Sequence, residues 1–269
     1  MRLHRTGLLI IATAALGLSA PAAHADTQYG GTGMYKGTRP ANPSVTLIRH
    51  DDGRISGRAV AGARCAGFAS SALVIRLSGR TADGVNFTAS GRTRLGKRKY
   101  RVSVTGTLAA DSIAATARVR TGCQKYRQPL VLRTESAPAG APAVPAAGTL
   151  MHGLTSQSAG SMRLPVSLRV TKQGRVYASW QAMMDCGPGN LPILDVTPSR
   201  RIRPDGTFGG SQSYTIRYRG RVERYRVSFS GRFLADGASG TLRARMVSRE
   251  GRVRHKPCLS GQQTWSARA

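Results

Sequence analysis

The stretch Tyr225-Arg-Val-Ser-Phe-Ser-Gly-Arg-Phe-Leu-Ala-Asp236 decides the fold class, because its apolar and polar residues alternate with a period of two. Tyr225, Val227 and Phe229 share one face, and arginines and serines share the other. Such alternation is typical of a β-strand with one buried face. No stretch of helical period reaches a comparable length after residue 25. The chain is therefore predicted to be all-β.

The same pattern occurs earlier in the chain, where Tyr100-Arg-Val-Ser-Val-Thr-Gly-Thr-Leu-Ala-Ala-Asp111 aligns with the first stretch at an offset of 125. Residues 45–54 align with residues 166–175 at an offset of 121. A weaker match places Gly31-Thr32-x-Met34 over Gly148-Thr149-x-Met151. Together these matches predict a tandem duplication with small insertions.

The first 25 residues have the order of a secretory signal peptide. A basic head precedes an apolar run from Gly7 to Leu18, and Ala23-His24-Ala25 forms a cleavage site. A run of about 18 or more apolar residues is needed to cross a bilayer, and this one is shorter. We therefore expect cleavage after Ala25, no transmembrane anchor, and a secreted, extracellular protein.

Two domains are predicted in the rest of the chain. Residues 136–148 are rich in Pro, Ala and Gly and carry no charge, which is typical of a semi-extended linker. They separate a first β domain at residues 26–135 from a second at residues 149–269, and both lengths are ordinary for one domain. Seven or eight alternating runs occur in each copy, with turn signals at Asp52-Gly53, Asp83-Gly84, Asp205-Gly206 and Asp236-Gly237. This pattern favours two antiparallel β-sandwich-like domains, with a small barrel as the alternative.

The four cysteines, Cys65, Cys123, Cys186 and Cys258, contain no Cys-x-x-Cys pair. In an exported chain an even number of cysteines indicates disulfides before it indicates a metal site. The duplication superposes Cys65 on Cys186 and Cys123 on Cys258, and so favours the two bridges within the copies. A crossed pairing between the domains is the alternative.

The chain is strongly basic, with 41 Lys and Arg against 12 Asp and Glu and a formal net charge of +29. Loss of residues 1–25 removes Arg2 and Arg5 and no acid, which leaves +27. A high-GC genome explains the excess of Arg over Lys but does not explain the scarcity of acids. Such a charge raises the rate of encounter with polyanions.

One hairpin in each copy concentrates this charge. The candidate polyanion-binding residues are Arg92, Arg94, Lys97, Arg98, Lys99, Arg101, Arg217, Arg219, Arg221, Arg224 and Arg226. Like charges that face each other across a hairpin are destabilising. An anionic partner would compensate this repulsion, and a solvated strand face is the alternative.

The residue pattern predicts no catalytic, cofactor-binding or metal-binding residues, and no cofactor. His50, His152 and His255 lie at unequal positions in the two copies and have no recognisable nucleophile motif beside them. Asp185 and Asp195 are two acids not obviously assigned to turns, and they are the candidates if carboxylates from separate strands form a hydrolase site. Trp180 and Trp265 are expected in the core rather than on a sugar-stacking surface.

The second copy contains four stretches that carry a resemblance to a known group of proteins. They are Cys258-Leu-Ser-Gly261, Thr264-Trp265-Ser-Ala267, the Asp205-Gly-Thr-Phe208 turn and Gly240-Thr-Leu-Arg243. It resembles a recurrent exported β domain of high-GC actinobacteria, and the first copy resembles it more loosely. The resemblance implies an exported bacterial β fold and brings no catalytic or binding residues to this chain.

These observations favour a non-catalytic binding or structural protein, not an enzyme. Its basic hairpins would engage an anionic polymer of the cell envelope or extracellular matrix, with both copies adding avidity if they reach one polymer. The first alternative is a protein-interaction or inhibitor module. The second is a hydrolase with carboxylates from separate strands.

Overall fold

The computed structural model describes residues 26–34, 43–63, 71–95, 97–120, 125–187, 189–218 and 220–269. These residues form strands, turns and extended segments without a helix, which confirms the all-β prediction. Among them there is accordingly no helix long and apolar enough to cross a membrane. The predicted signal peptide lies outside the described residues.

The first half of the chain forms a closed antiparallel barrel of strands that follow one another in sequence, and β1 pairs with β8 to complete the ring. The strands are β1 (Thr27–Thr32), β2 (Ser44–Arg49), β3 (Arg54–Ala63), β4 (Ser71–Thr81), β5 (Asn86–Leu95), β6 (Arg98–Leu108), β7 (Ser112–Arg120) and β8 (Lys125–Thr134).

The second half forms a nine-stranded sheet that also curls into a barrel. The strands are β9 (Leu150–Ala159), β10 (Met162–Val170), β11 (Arg175–Asp185), β12 (Asn190–Arg201), β13 (Thr207–Tyr218), β14 (Arg221–Leu234), β15 (Gly237–Glu250), β16 (Val253–Arg254) and β17 (Cys258–Arg268). Their order is β12-β11-β10-β9-β17-β15-β14-β13, and the short β16 pairs only with β15. The Tyr214 hydroxyl on β13 donates to the Asp195 carboxylate on β12, and the Arg200 side chain on β12 donates to the backbone carbonyl of Ser211 on β13, so the two end strands are joined through side chains.

The preference for a sandwich over a barrel is therefore wrong. In the first sheet, successive strands pair all the way round to β1. In the second, the last strand β17 pairs with the first strand β9, and β12 and β13 are the two ends of the pairing order. Neither sheet consists of two layers joined by crossing connections. Backbone pairing of β1 with β8 leaves the first ring no long unpaired edge, and this is the physical advantage of a barrel for a chain made of hairpins.

The alternation in the sequence correctly predicts the inward faces. Tyr100, Val102 and Val104 are buried in the first barrel, as are Val227 and Phe229 in the second. Turns occur at three of the four predicted Asp-Gly pairs, while Gly237 already belongs to β15 and the turn falls on the residues before it.

One predicted sequence match is out of register. Gly31 lies opposite Val45, and Gly153 lies opposite Val166. The residue in the position of Gly31 is therefore Gly153, and the match of Gly31 with Gly148 is wrong.

The two barrels have separate cores of different composition. The first is mainly aliphatic, whereas the second contains Trp180, Phe208, Phe229, Phe233 and Trp265. Both tryptophans are buried, with side-chain exposures of 0% and 3%, so the prediction that they belong to the core is confirmed.

The predicted bridge between Cys186 and Cys258 is present and closes the turn after β11 onto the start of β17. Cys65 and Cys123 lie outside the described residues, so their bridge stays a prediction.

The barrels are joined by direct contacts as well as by the chain. The backbone N–H of Thr32 donates to the Ser167 hydroxyl at 2.9 Å, and the Thr46 hydroxyl donates to the Arg163 carbonyl at 2.9 Å. Residues 136–148 follow the surface of the second barrel, where Ala139 N–H donates to the Asp236 carboxylate at 2.6 Å. The residues predicted to be a linker therefore make defined contacts with the second barrel.

Candidate functional site

The outer surface of β5 to β8 carries a continuous basic face. In the register of the sheet, Arg92 lies opposite Arg101, Arg101 opposite Arg120, and Arg120 opposite Lys125. Neighbouring strands are about 4.8 Å apart, so this row places one cation roughly every 5 Å around the barrel. We call the full set face 1: Arg92, Arg94, Lys99, Arg101, Arg118, Arg120, Lys125 and Arg127.

Every residue of face 1 is exposed, because it alternates with the buried positions of its strand. Within the described part of the chain, no residue of face 1 takes part in an ion pair. The acids of residues 26–135 are instead gathered at one end of the barrel. They lie just before β1, in the β2–β3, β4–β5 and β6–β7 turns, and just after β8, and all of these positions are at that end. They are Asp26, Asp51, Asp52, Asp83, Asp111 and Glu135. The first barrel is therefore electrically polarised along its axis.

The structure divides the predicted residues of the first hairpin. Arg92, Arg94, Lys99 and Arg101 share the outer surface as expected. Lys97 is exposed in the turn, and Arg98 alternates onto the other side of β6 from Lys99. The last two therefore lie at the rim of the barrel and are not part of face 1.

The second barrel has a basic groove of 640 Å³ on the outer surface of β13 to β16. Its floor contains Val222 and Val247, and Arg226 lies directly opposite Arg245. We call its arginines face 2: Arg217, Arg224, Arg226, Arg245, Arg249 and Arg254. All of them are exposed, and none forms an ion pair with another described residue.

The predicted residues of the second hairpin are also divided. Arg217, Arg224 and Arg226 line the groove. Arg221 lies opposite Tyr218, on the alternate side of the strand, and its Nε donates to Glu223 at 2.9 Å. Arg219 lies outside the described residues.

Both faces contain arginines that the hairpin-based prediction missed. Arg118 and Arg120 on β7 continue face 1, and Arg245 and Arg249 on β15 continue face 2. Their signal was present as Arg at alternate positions in Arg118-Val-Arg120 and Arg243-Ala-Arg245. Recognising it required the strand after each hairpin to be placed beside the hairpin.

The acids proposed for a hydrolase do not form a pair. Asp185 is exposed and lies opposite Asn190, whereas Asp195 lies opposite Trp180, five residues farther along β12. This separates them by roughly 17 Å, beyond the spacing of about 5 to 9.5 Å in paired-carboxylate glycosidases.

Asp195 belongs instead to a half-buried cluster inside the second barrel. Its carboxylate accepts a hydrogen bond from the Tyr214 hydroxyl at 2.6 Å, and Tyr214 stacks on Tyr225 with ring centres 4.9 Å apart. The Tyr225 hydroxyl in turn donates to Glu223 at 2.7 Å. Burial raises the pKa of Asp195 and of both tyrosines. The tyrosines therefore stay protonated at neutral pH and donate to the carboxylates.

The structure also brings together a carboxylate, an imidazole and a hydroxyl at the acidic end of the first barrel. Nδ1 of His50 lies 2.8 Å from Asp26, and Nε2 lies 2.8 Å from the Ser56 hydroxyl. Ser56 is on the outer side of β3, a strand paired with neighbours on both sides. Its main chain is therefore committed to the sheet, and it lacks the free N–H that an oxyanion hole needs. This contact was not recognisable in the sequence, because Asp26 and His50 are distant in the chain.

The other candidate groups have structural surroundings. His152 is buried where the barrels meet, its Nδ1 is 2.8 Å from the Ser167 hydroxyl, and burial together with the charge of Arg133 lowers its pKa to about 4. His255 is exposed. Within the described residues, no group of three or more His, Cys, Asp or Glu side chains could hold a metal ion.

No protein-family model matches the chain, and no curated protein matches it. A search of solved structures matches a protein of Bacteroides fragilis described as a "putative outer membrane protein", with 11% identity and a TM-score of 0.27 over 91% of this chain and 97% of that one. A similarity at this level supports no conclusion about function.

Proposed function

We propose that this protein is an exported, non-catalytic binding protein whose basic barrel faces hold a linear anionic polymer. The observation that carries the proposal is the separation of charge in the first barrel. Face 1 extends over four neighbouring strands without an acid, and the acids of that barrel are gathered at its acidic end. A genome bias toward Arg would increase the number of cations but would not confine the acids to one end of the barrel.

The faces have a cost that a partner would offset. Arg101 and Arg120 are directly opposite each other on adjacent strands, and so are Arg226 and Arg245. Opposed like charges destabilise a sheet by a few tenths of a kcal/mol to about 1 kcal/mol per pair. A polymer that neutralises such pairs removes this repulsion when it binds.

Arginine side chains favour phosphate or carboxylate groups, because the guanidinium group can donate two parallel hydrogen bonds to either anion. Binding to single-stranded nucleic acid normally adds aromatic side chains on which bases stack. The exposed large apolar residues of the described chain are Val85, Val144, Leu150, Val253 and Leu259, and none is aromatic. A phosphodiester-linked or carboxylated polymer of the envelope or extracellular matrix therefore fits these faces better than nucleic acid.

Export is supported by the bridge between Cys186 and Cys258, since disulfides persist mainly in oxidising compartments outside the cytoplasm. A tandem duplication is supported by the two successive meanders of eight main strands, which use the same strand order. Each copy then carries a basic face on its later strands.

Salt-dependent binding tests the proposed function. The chain with its disulfides intact is titrated with a wall-type phosphopolymer, a carboxylated polysaccharide and single-stranded DNA. The logarithm of the binding constant should fall with the logarithm of salt concentration by roughly 0.7 to 0.9 per neutralised phosphate. Replacing Arg101 and Arg120 by Gln should reduce this slope by about 2 for the polymer that binds face 1.

The matched control replaces Arg54 and Arg80 by Gln. This is also a directly opposed pair of exposed arginines in the first barrel, but it lies at the acidic end. The proposal predicts unchanged binding for the control. Equal losses in both variants would show a diffuse attraction, and preferential binding of DNA would contradict the chosen polymer class.

The non-catalytic part of the proposal has its own test at Ser56. A fluorophosphonate probe labels a serine whose hydroxyl attacks phosphorus, with loss of fluoride and transfer of the hydroxyl proton to the neighbouring imidazole. We expect no labelling of the chain. Labelling that disappears in Ser56→Ala and persists in Ser78→Ala would overturn the assignment as a non-catalytic protein.

A further inference from the structure

A cavity of 520 Å³ opens at the disulfide end of the second barrel, and none of its lining residues belongs to face 1 or face 2. Strand β9 pairs with β17 only between His152 and Thr155, so the β9–β10 hairpin extends beyond this ladder. Strand β11 then pairs directly with β17, where Asp185 lies opposite Leu259. The cavity lies between the hairpin and this β11–β17 contact. Its position therefore follows from the change of pairing partner at this end of the sheet.

The floor of the cavity is held in one shape by side-chain hydrogen bonds and by the disulfide. The Gln157 amide oxygen accepts from the N–H of Met183 at 2.8 Å, and its nitrogen donates to the carbonyls of Met183 at 2.9 Å and Ser260 at 3.2 Å. The bridge between Cys186 and Cys258 joins the same two strands, β11 and β17. A ligand would consequently meet a preformed site, which lowers the cost of ordering it on binding.

The lining of this cavity differs chemically from the basic faces. No Lys or Arg is among the described residues that line it, although the chain has 41 of them. Its charged side chain is Asp185, which is exposed and accepts the N–H of Gly187 at 2.9 Å. Asp185 forms no ion pair with another described residue. Asn190 lies directly opposite it, so a carboxylate and an amide are presented side by side.

The lining also has an apolar part and a hydroxyl. Leu259 is 43% exposed, and Met183 is half-buried. Ser158 on β9 is exposed and contributes its hydroxyl. Polar groups with different hydrogen-bonding roles therefore share one cavity with apolar surface.

Several classes of ligand do not match this lining. A phosphate or carboxylate group would meet the negative charge of Asp185 without a cation beside it. A wholly apolar ligand would remove the Asp185 carboxylate and the Asn190 amide from water without replacing their hydrogen bonds. A metal ion would need further carboxylate or imidazole ligands, and the described residues contain no group of three such side chains.

A neutral sugar matches each part of the lining. Neighbouring sugar hydroxyls both donate and accept; Asp185 accepts, whereas Asn190 and Ser158 do both. Leu259 and Met183 offer apolar surface to the C–H groups of the ring. The volume of 520 Å³ lies within the range of roughly 300 to 1,000 Å³ that small-molecule sites have.

We propose that this cavity binds a neutral sugar unit, with Asp185 and Asn190 bonded to neighbouring hydroxyls. The site uses none of the arginines of face 1 or face 2. It is therefore independent of the polymer binding proposed above.

NMR of methyl-labelled methionine observes the cavity directly. Met183 lines the cavity, whereas Met184, the next residue, is buried in the barrel core. The protein is titrated with glucose, galactose and N-acetylglucosamine. At least one sugar should shift the Met183 methyl signal to saturation and leave the Met184 signal in place. A single sugar unit should bind with a Kd of about 1 mM, because a ligand with so few atoms gains little binding energy.

Two charged analogues of glucose test the choice of ligand class. Glucuronate has a carboxylate on the same ring, so Asp185 should repel it and it should bind more weakly than glucose. Glucosamine has an ammonium group and should bind no more than about tenfold more tightly than glucose, the limit of one additional exposed ion pair. In Asp185→Asn, glucuronate and glucose should bind alike, because the repulsion is gone while the amide oxygen still accepts from Gly187.

A matched pair of variants locates the site. Asp185→Ala should weaken sugar binding at least about tenfold, because it removes a charged hydrogen-bond acceptor. The control is Asp205→Ala, which removes a carboxylate that also accepts a backbone N–H two residues on, from Thr207, in the turn at the other end of β12. The control should bind sugar like the wild type. Asp185→Asn keeps the turn and provides the test if Asp185→Ala does not fold.

Three results would overturn the sugar site. They are an unchanged Met183 signal with all three neutral sugars, glucuronate or glucosamine binding outside the stated limits, and equal losses in Asp185→Ala and Asp205→Ala. None of them bears on face 1 or face 2, whose own test is the slope of polymer binding against salt. Failure of the sugar site and failure of the proposed function are thus distinguishable.

Discussion

The two barrels close their rings by different means. In the first, β1 and β8 share backbone pairing, with Tyr29 opposite Thr134. In the second, β12 and β13 are joined by side chains: Tyr214 donates to Asp195 at 2.6 Å, and Arg200 donates to the carbonyl of Ser211 at 3.0 Å. The same strand order can thus be closed by a ladder or by a few polar contacts, and the second solution uses a half-buried carboxylate.

The cores differ in a related way. The first core is filled by many small aliphatic contacts, whereas the second has an aromatic cluster in which Trp265 stacks on Phe229 with ring centres 4.9 Å apart. Side chains at Gly231 and Gly240 would collide with the Trp265 ring. The second barrel therefore depends on a few large side chains, and the first distributes its packing over many small ones.

The largest effect is expected from the aromatic cluster. Trp265→Ala should lower the free energy of unfolding of the second barrel by about 3 to 5 kcal/mol, because it removes a buried aromatic ring and leaves a cavity. Val104→Ala in the first core should cost roughly 1.5 kcal/mol, the value of two buried methylene groups. Urea denaturation followed by hydrogen exchange would measure both losses and locate them. Equal losses would contradict the contrast between the cores.

The junction gives the next largest effect and depends on pH. The first barrel presents bare backbone at Gly31, and the second fits the ring of His152 against it. Burial holds the pKa of His152 at about 4, below its ordinary value of about 6.5. The neutral ring therefore contributes stability that is complete above pH 6.5 and is lost as the pH falls toward 4, amounting to about 3 kcal/mol.

His152→Gln tests this dependence, since glutamine can still bond to Ser167 but does not titrate. Denaturation curves between about pH 4 and 8 should slope more steeply for the wild type than for the variant below pH 6.5. A parallel pH dependence in both proteins would show that His152 does not control the junction.

The sequence predicted the parts of this fold that depend on local alternation. Tyr225, Val227 and Phe229 were recognisable as a buried face because the period of two is visible within a few residues. Ring closure was not recognisable, because the pairing of Tyr29 with Thr134 and the bond between Asp195 and Tyr214 join residues that have no common local pattern. A meander of hairpins is compatible with a sandwich until its first and last strands are known to meet.

The basic faces show the same limit. Arg92 and Arg101 were found because one hairpin brings them together, whereas Arg120 and Arg245 join their faces only through the next strand. Arg221 was placed with its neighbours by charge alone, although its register turns it toward Glu223. Composition indicates that a basic surface exists, and the sheet register determines which arginines form it.

The side-chain closure of the second barrel predicts a smaller, pH-dependent effect. At neutral pH, Tyr214→Phe should cost about 1 to 3 kcal/mol, because it leaves the half-buried Asp195 carboxylate without its hydroxyl donor. Since burial raises the pKa of Asp195, its protonated form is favoured in the folded state, and this contribution is lost as the pH rises through the folded pKa. The cost of Tyr214→Phe should therefore be smaller below that pKa. Denaturation at about pH 3.5 and 7.5 would measure it.

Asp195→Asn provides the control for this prediction. Its amide oxygen can still accept from Tyr214, so its stability should no longer change with the ionisation of this site. If Tyr214→Phe remains equally destabilising at both pH values in the wild-type and Asn backgrounds, the charge of Asp195 does not determine closure.

The smallest expected changes in the free energy of unfolding come from single arginines, and they should differ between an arginine of face 1 and an arginine that forms an ion pair. Arg101→Gln should stabilise the first barrel by a few tenths of a kcal/mol at low salt, because Arg101 lies between Arg92 and Arg120 with no described acid paired to it. Arg221→Gln should destabilise the second barrel by a similar amount, because it removes the ion pair with Glu223. Urea unfolding at low salt and at about 0.5 M salt would measure both, and salt should shrink the two effects by screening. If the two substitutions change the free energy of unfolding with opposite signs, face 1 is folded against its own charge repulsion. If both substitutions lower the free energy of unfolding, Arg101 has a compensating contact. The first barrel then has less repulsion for a polymer to relieve.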